Sequence, residues 1–384
     1  MSSSKKKVCM LAATPLTIHF FLKPHLIELA KEYDVTLVLN LQNDSYLPPL
    51  DLPIEIIDIS IARKISPLAD LTCLFSLIRL FKKNKYDLLI TVVPKAGLLG
   101  MLAGAFAGIA KRIHIFQGEV WANRSGFGRW LLKTCDQITA TLATKVLAVS
   151  ASEKDFLVRE VVINTNRIEV LGKGSIGGVD LKRFAPNPEK RVEIRSSLGI
   201  PQDAIVILFM GRLVADKGIY ELAQAYFQAV HHHPNLWLLL VGPDEEGELN
   251  NLDFGRFVTQ VKRVPYTTEP ESYLAASDLL CLPSHREGFG VVIIEAAATG
   301  IPAIGSKIYG ISDAIIDGQT GLLFECANVQ ALQACIERLV SDVELRKMLG
   351  NQARLNVEKH FSNAQVVNHY IEYIRNTLNT TSAH

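Results

Sequence analysis

Two short stretches carry side chains that could do chemistry. The first runs from Pro283 to Ala298, P-S-H-R-E-G-F-G-V-V-I-I-E-A-A-A, and sets Glu287 and Glu295 on either side of a Gly-Phe-Gly and an apolar run. Residues 279–282 read as the strand leading in. The apolar run leading out reads as a helix that stops near Gly300, with Pro302 just beyond. Gly288, Phe289 and Gly290 then lie between the carboxyl end of a strand and the amino end of a helix. Open α/β sheets bind ligands at that position, and exposed N–H groups with the positive helix end favour a phosphate there. The second stretch is Gly211 to Gly218, G-R-L-V-A-D-K-G, between a strand over 205–210 and a helix. Arg212 offers a planar fork to phosphate oxygens and Lys217 a compact charge. Two fixed cations beside a helix amino end suit a departing diphosphate. Taken singly, each stretch also fits an ordinary β–α turn with solvated charges.

Weaker pieces surround these two. Val241-Gly242-Pro243 closes the next strand at the same sheet edge and can shape the floor or rim of a pocket. Gly310-Ile311-Ser312 precedes D-A-I-I-D-G-Q-T-G-L-L and reads as a loop that closes it. Gln117-Gly118-Glu119 follows a strand over 112–116, with Trp121, Asn123, Arg124, Gly126 and Gly128 next in a segment that reads as a mobile loop. This segment is an acceptor or sugar site, or else a structural loop. The run His231 to His233 precedes Pro234 and reads as favourable charge at a helix end, not as a metal site. The chain has no Asp-x-Asp pair, no H-E-x-x-H, no G-x-S-x-G and no Walker P-loop, which argues against hydrolase and kinase-like readings.

The scaffold for these residues is an alternation of apolar strands and amphipathic helices. Strands are expected over 8–13, 35–41, 54–59, 87–93, 112–116, 145–149 and 168–171, with helices over 15–33, 68–83, 97–110 and 129–143. Leu71, Leu74, Phe75, Ile78 and Phe81 give the second helix its 3.6-residue period. Ser150 and Ser152, followed by Glu153, mark a further helix start. A Gly- and Pro-rich linker covers 172–187. The pattern restarts with strands over 205–210, 236–241, 278–282, 303–305 and 321–324, a weaker segment over 258–264, and helices over 220–231, 271–276, 328–340 and 343–361. This predicts an α/β fold of two Rossmann-like, doubly wound parallel-sheet domains facing across a cleft. The expected domains are 1–175 and 176–361, with 362–384 forming a helix that crosses back to the first domain and ends in a disordered tail.

Composition agrees with such a fold. A chain of 384 residues, 48% hydrophobic and 21% charged, is globular and too long for one ordinary core. A net charge of +1 does not point to nucleic acid. The charge is uneven: residues 1–175 hold 22 Lys and Arg against 15 Asp and Glu, a balance of +7 that leaves −6 for the remainder. A basic front half suits an anionic surface. Thr17 to Phe21 and the loop after Gln117 are expected to supply an apolar, aromatic contact with a membrane. The six cysteines, none spaced as C-x-x-C, read as small buried residues of a reducing compartment. The opening M-S-S-S-K-K-K leads to no cleavage-like site, so no signal peptide is expected. The apolar window 96–110 is short for a membrane span and reads as a closely packed buried helix.

Together these motifs resemble the retaining glycosyltransferases of family 4, which have the GT-B fold. The resemblance rests on G-R-L-V-A-D-K-G at Gly211, V-G-P at Val241, E-G-F-G-V-V-I-I-E at Glu287 and G-I-S-D-A-I-I-D-G-Q-T-G-L-L-F at Gly310. It extends more loosely to P-K-A-G at Pro94, F-Q-G-E at Phe116 and A-V-S-A-S-E at Ala148. The chain looks like the branch that builds bacterial surface polysaccharides or lipid-linked oligosaccharides. The resemblance implies transfer of a sugar from a nucleotide donor, by family habit UDP-linked, with retention and without a metal or other cofactor. Arg212 and Lys217 would hold the diphosphate, Glu287 would lie by the donor sugar and Glu295 would bind the ribose. Gly211, Gly242, Pro243, Gly288, Phe289, Gly290 and Val291 would complete the donor site. Pro15, Thr17, Lys95, Gln117, Gly118 and Glu119 fall on the acceptor or sugar side.

The first domain would thus take the acceptor and the second the donor, on the cytoplasmic side, at the inner membrane face. Two departures leave sugar and acceptor open: the first β–α turn reads A-A-T-P-L-T where many members have Gly-Gly, and Gln117 stands where many have His. A GT-B nucleotide-sugar 2-epimerase and a non-catalytic nucleotide-sugar-binding protein are the competing readings.

Overall fold

The computed structural model describes residues 5–42, 47–62 and 66–380. The tail expected to be disordered begins beyond the last helix, and its final residues, 381–384, lie outside the described residues. The chain divides into two compact units, 1–178 with 363–384, and 179–362.

The first unit is built on a parallel sheet of β1 (Lys7–Leu11), β2 (Asp34–Leu39), β3 (Glu55–Asp58), β4 (Leu88–Val92), β5 (Lys111–Phe116), β6 (Lys145–Ala148) and β7 (Ile168–Val170). Its order is β3-β2-β1-β4-β5-β6-β7. The helices are α1 (Pro15–Thr17), α2 (Lys23–Glu32), α3 (Pro67–Asn84), α4 (Pro94–Phe106), α5 (Gly126–Leu142) and α6 (Ala151–Arg159). The chain winds one way from β1 to β3 and the other way from β4 to β7. Right-handed crossovers therefore put α3, α4 and α5 side by side on one face, α3 against α4 and α4 against α5. Strands such as Leu88–Val92 are buried throughout, as a sheet covered on both faces requires.

α4 is the close-packed helix expected from its small residues. A Cβ on Gly97 would stand 2.4 Å from the His114 ring, and one on Gly100 2.5 Å from Leu11. Among the described residues no helix is long and apolar enough to cross a membrane.

Two expectations for this unit are corrected. The helix over 15–33 is interrupted by a π-helical segment, Ile18–Leu22, which ends two residues before Pro24 in the first turn of α2. Proline has no N–H to give to the preceding turn, so the wider segment absorbs the missing bond. Trp121 is not part of a mobile loop or an exposed aromatic surface. It is fully buried, stacks on Phe156 at 5.3 Å, and its Nε1–H donates to Asp136 at 2.7 Å. Thr17 and Ile18 are buried as well, leaving only Phe20 of that segment substantially exposed among the large apolar side chains.

The second unit holds β8 (Ile205–Met210), β9 (Leu236–Val241), β10 (Val261–Val264), β11 (Leu279–Leu282), β12 (Ala303–Ser306) and β13 (Gly321–Phe324) in the order β10-β9-β8-β11-β12-β13, all parallel. Around it lie α7 (Pro188–Leu198), α8 (Ile219–His232), α9 (Pro270–Ala275), α10 (Val291–Ala298), α11 (Ile311–Ala314), α12 (Val329–Ser341) and α13 (Val343–His360).

The sequence reading has no element where α7 stands. The signals were nonetheless present: Asn187 caps the Lys190 N–H, Pro188 takes the first turn, and Gly199 ends the helix at φ +65°. Its polar sequence hides it, because it is anchored by one buried guanidinium, Arg195, which binds Asp278 at 2.8 Å and four backbone carbonyls. The run Gly172-Lys-Gly-Ser-Ile-Gly177 has the spacing of a dinucleotide fingerprint but opens no helix before Pro188, so it lacks that motif's structure. The last helix, α14 (Asn363–Asn379), clusters with the first unit and packs on α2.

Candidate functional site

In the second unit the strand order reverses between β8 and β11. The loops leaving the carboxyl ends of these two strands diverge there, which opens a crevice at the sheet edge. One loop is Gly211–Gly218 and the other Pro283–Gly290, so the fold brings the two chemistry-bearing stretches together. Lys217 Nζ meets Glu287 Oε1 at 2.5 Å, with each side chain less than a fifth exposed. The buried Ser284 donates its hydroxyl to the same carboxylate oxygen at 3.0 Å.

Further ties lock the loops. The His285 N–H donates to the Asp216 carbonyl at 3.0 Å, Arg286 pairs with Asp216 at 3.0 Å, and His285 meets Glu221 at 2.9 Å. Ser284, His285, Arg286, Asp216 and Glu221 were missed as site residues. Their signal was the complementary charge of A-D-K and S-H-R-E, legible only once β8 and β11 are known to be neighbours.

Backbone proximity sets the shape. A Cβ on Gly218 would stand 2.1 Å from the Pro283 carbonyl oxygen, so only glycine lets the loops close to this distance. Leu213 N–H donates to the Pro243 carbonyl at 2.9 Å, which draws Val241-Gly242-Pro243 beside Gly211. Arg212 is exposed on the same loop, its guanidinium 3.8 Å from Glu245.

Gly290 sits at φ +82° at the start of α10, with Val291 the first helical residue. Gly288 and Gly290 are buried, and the Phe289 ring packs into the core against Phe361 at 5.3 Å, so this turn offers backbone and not an aromatic face.

Glu295 lies on α10, half-buried, and no described residue gives its carboxyl group a hydrogen bond or ion pair. Burial pushes this carboxyl up to about 8; Arg183 pulls it down and Glu271 pushes it up by smaller amounts. Arg183 is itself held by Glu271 at 2.8 Å. A desolvated carboxyl with no protein partner is a costly thing to keep, and such groups gather at functional sites.

In the first unit the order reverses between β1 and β4. Pro15 and Thr17 follow β1, Lys95 follows β4 and Gln117 to Glu119 follow β5, so all lie at the carboxyl edge of three adjacent strands. Their environments differ. Pro15, Thr17 and Glu119 are buried, and Lys95 is paired to Asp70 at 2.7 Å. The Gly118 N–H donates to Glu153, whose other oxygen accepts the Val149 N–H at 2.7 Å. Glu153 thus ties A-V-S-A-S-E to F-Q-G-E, a structural role missed in the sequence. The Nε2 of Gln117 is buried and has no partner among the described residues.

Val93, just before Pro94, is held at φ +63°, a left-handed conformation that costs a β-branched residue of order 1–3 kcal/mol. Such strain concentrates at functional edges. Among the described residues no cluster of His, Cys, Asp and Glu forms a metal-binding set.

Residues 190–356 match the family model for glycosyl transferases group 1, and residues 28–174 match that for the glycosyl transferase 4-like domain. The chain is 33% identical over 324 residues to the capsular polysaccharide biosynthesis glycosyltransferase CapM of Staphylococcus aureus, covering 83% of this chain and 84% of that one. It is 28% identical over 301 residues to an Escherichia coli UDP-Gal:α-D-GlcNAc-diphosphoundecaprenol α-1,3-galactosyltransferase, covering 76% of each. Among solved structures, HepE of Anabaena in complex with UDP and glucose superposes over 97% of this chain and 100% of its own, with a TM-score of 0.77 at 18% identity, a likeness of fold.

Proposed function

Because the chain belongs to the group 1 glycosyltransferases with a 4-like N-terminal domain and the GT-B fold, we propose that it moves a sugar from a UDP-linked donor to a lipid-linked glycan, with retention at the anomeric carbon. The observation that carries this reading is the Lys217–Glu287 pair at 2.5 Å, set at the strand-order reversal with Arg212 on the same loop. The E. coli relative, which by its name acts on UDP-Gal and a diphosphoundecaprenol-linked sugar, supports the choice of donor and acceptor.

In the proposed site Arg212, Lys217 and the N–H groups opening α10 hold the donor diphosphate. Glu287 orients the donor sugar and positions the Lys217 ammonium. Glu295 accepts hydrogen bonds from the ribose hydroxyls. The acceptor hydroxyl attacks the anomeric carbon on the face the diphosphate leaves, so the configuration is kept. The bond from that carbon to the β-phosphate oxygen breaks, the diphosphate takes its electron pair, and one of its oxygens takes the hydroxyl proton. Negative charge grows on the leaving group, where fixed cations contribute most. A second carboxylate flanking the bond, as in glycosidases, has no part in this step, nor has a metal or other cofactor. On the acceptor side, Gln117 is the residue whose unpartnered amide is free to donate to a sugar hydroxyl. The acceptor's lipid places the work at a membrane, at its cytoplasmic face.

A thermal-shift panel of nucleotide sugars is the first test, since a true donor raises the unfolding midpoint by mass action. With the donor found, Lys217→Ala should weaken UDP binding about tenfold or more by calorimetry, as expected for loss of a charged hydrogen bond, and abolish transfer. Proton NMR of the product should show the donor's anomeric configuration. Stabilisation by no nucleotide sugar, or unchanged transfer by Lys217→Ala, would overturn the reading.

A further inference from the structure

The Phe and Trp side chains more than half exposed are Phe75 (63%), Phe106 (66%), Phe127 (73%) and Trp130 (60%). They lie on three neighbouring helices, α3, α4 and α5, of one sheet face of the first unit. None lies on the second unit. Leu68 (83% exposed) and Leu71 (50%) extend the set along α3.

On α3 the spacing 68, 71, 75 continues into Arg79 and Lys82, so one face of the helix passes from apolar to basic. On α5, Phe127 and Trp130 stack at 5.5 Å, and Arg124 stands exposed just before them. Leu68, Leu71, Phe127 and Trp130 fall in the first turns of parallel helices, at the same edge of the sheet. These are large, wet, apolar side chains gathered where scattered ones would be ordinary.

Charge says what covers them. The only acidic residues on α3, α4 and α5 are Asp70, paired to Lys95, and Asp136, buried under Trp121. The charged side chains of Arg79, Lys82, Lys83 and Arg124 have no hydrogen-bond or ion-pair partner among the described residues. A second copy docking on this face would set cations against cations, which opposes association. An anionic bilayer satisfies both parts: aromatic and leucine side chains enter the headgroup boundary while Lys and Arg meet lipid phosphates.

We propose that the α3–α5 face, through Leu68, Leu71, Phe75, Phe127 and Trp130 with the cations beside them, docks the protein on an anionic lipid bilayer. This rests on the lipid-linked acceptor reading; it drops Thr17, Ile18 and Trp121, which are buried, and keeps the exposed Arg124 of the loop after Gln117 beside the helix faces.

The test is flotation of the full chain with vesicles of phosphatidylcholine alone and of phosphatidylcholine with phosphatidylglycerol. Binding is expected with phosphatidylglycerol at low salt, falling as salt screens the charge. Phe75→Ser with Trp130→Ser should lower vesicle partitioning tenfold or more, and Lys82→Glu with Lys83→Glu should remove the phosphatidylglycerol preference. Trp fluorescence should shift to the blue on vesicle binding and lose that shift in Trp130→Phe.

All these side chains are exposed, so an unchanged unfolding midpoint checks folding. UDP affinity should also be unchanged in every variant, which separates this proposal from the donor-site reading. If wild type fails to bind UDP but floats with vesicles, the transferase reading falls and the docking face stands. Absence of flotation with either vesicle, or flotation indifferent to Phe75→Ser with Trp130→Ser, overturns the docking face. So does a dimer in sedimentation equilibrium that the same pair dissolves, with no lipid binding.

Discussion

Burial pushes the Glu295 carboxyl up to about 8, toward its protonated form, yet the proposed role needs an acceptor for ribose hydroxyls. Binding therefore has to drive the proton off. If the bound state keeps Glu295 ionised, its value falls on binding, protons leave, and affinity rises with pH up to about 8 and levels above it. UDP binding at pH 7 should therefore release protons, because the free carboxyl is pushed above that pH and the bound one is not. Calorimetry at that pH in phosphate and in Tris, whose ionisation heats differ, reads the release directly. Glu295→Gln should bind more weakly and make the heat independent of buffer. An equal heat in both buffers for wild type would contradict the ribose role. Lys217 differs in kind: its ammonium is already held by Glu287, so the donor meets a positioned cation and does not have to order one.

At the scale of elements, the site is made by loops that touch through backbone. Gly310 sits at φ +83° with its missing Cβ 2.6 Å from the carbonyl oxygens of Glu287 and Gly288. Gly310→Ala therefore combines a strained φ with a backbone clash and should destabilise by about 2 kcal/mol or more, with weaker UDP binding because the Glu287 turn has to move. Gly318→Ala is the control: its φ is +71° but nothing stands within 4 Å, so about 1 kcal/mol and unchanged UDP affinity are expected. Denaturant unfolding and calorimetry on the two variants decide it, and equal effects would sink the clash argument.

Such contacts are what a one-dimensional pattern leaves out. The strands, long helices and both glycine-rich loops were legible because apolar periodicity and turn residues act locally. α7 was not, because its anchor is one buried arginine reaching 83 residues along the chain to Asp278. Nor was Trp121, a core residue in a Gly- and Asn-rich stretch whose burial depends on Phe156 and Asp136. Glu287 and Lys217 were each visible, but their pairing follows from strand order.

For the whole molecule, stability has two exposed points, both in the first unit. His25 and His114 are fully packed and neutral, with burial lowering them to about 4 and about 3 from 6.5. The unfolded chain binds their protons below pH 6.5 and the folded chain does not, so stability is complete above 6.5 and drains as pH falls toward 4. For His25 the whole effect is about 3 kcal/mol, at 1.36 kcal/mol per pH unit of difference. His25→Phe, which keeps a ring edge-on to Tyr370, should flatten the fall of the unfolding midpoint between pH 6.5 and 4; an unaltered slope would remove His25 as a cause.

The second point is α14, joined to its unit only after the chain has built the other one. It buries Val366, Val367, Tyr370, Ile371, Ile374 and Leu378, and Arg375 pairs with Glu32 on α2 at 2.6 Å. At about 1.5–3 kcal/mol per buried side chain, their loss is of order 10 kcal/mol, as large as the whole stability of an ordinary domain. Truncation after Ser362 should therefore yield protein that aggregates, with α2 left bare. The milder pair Ile374→Ala and Leu378→Ala should stay soluble and lower the unfolding midpoint, the cost of two large cavities being about 4 kcal/mol or more. The surface pair Arg375→Ala should cost under about 1 kcal/mol, as an exposed ion pair does. If the truncated chain unfolds at the wild-type temperature, α14 does not hold the first unit together.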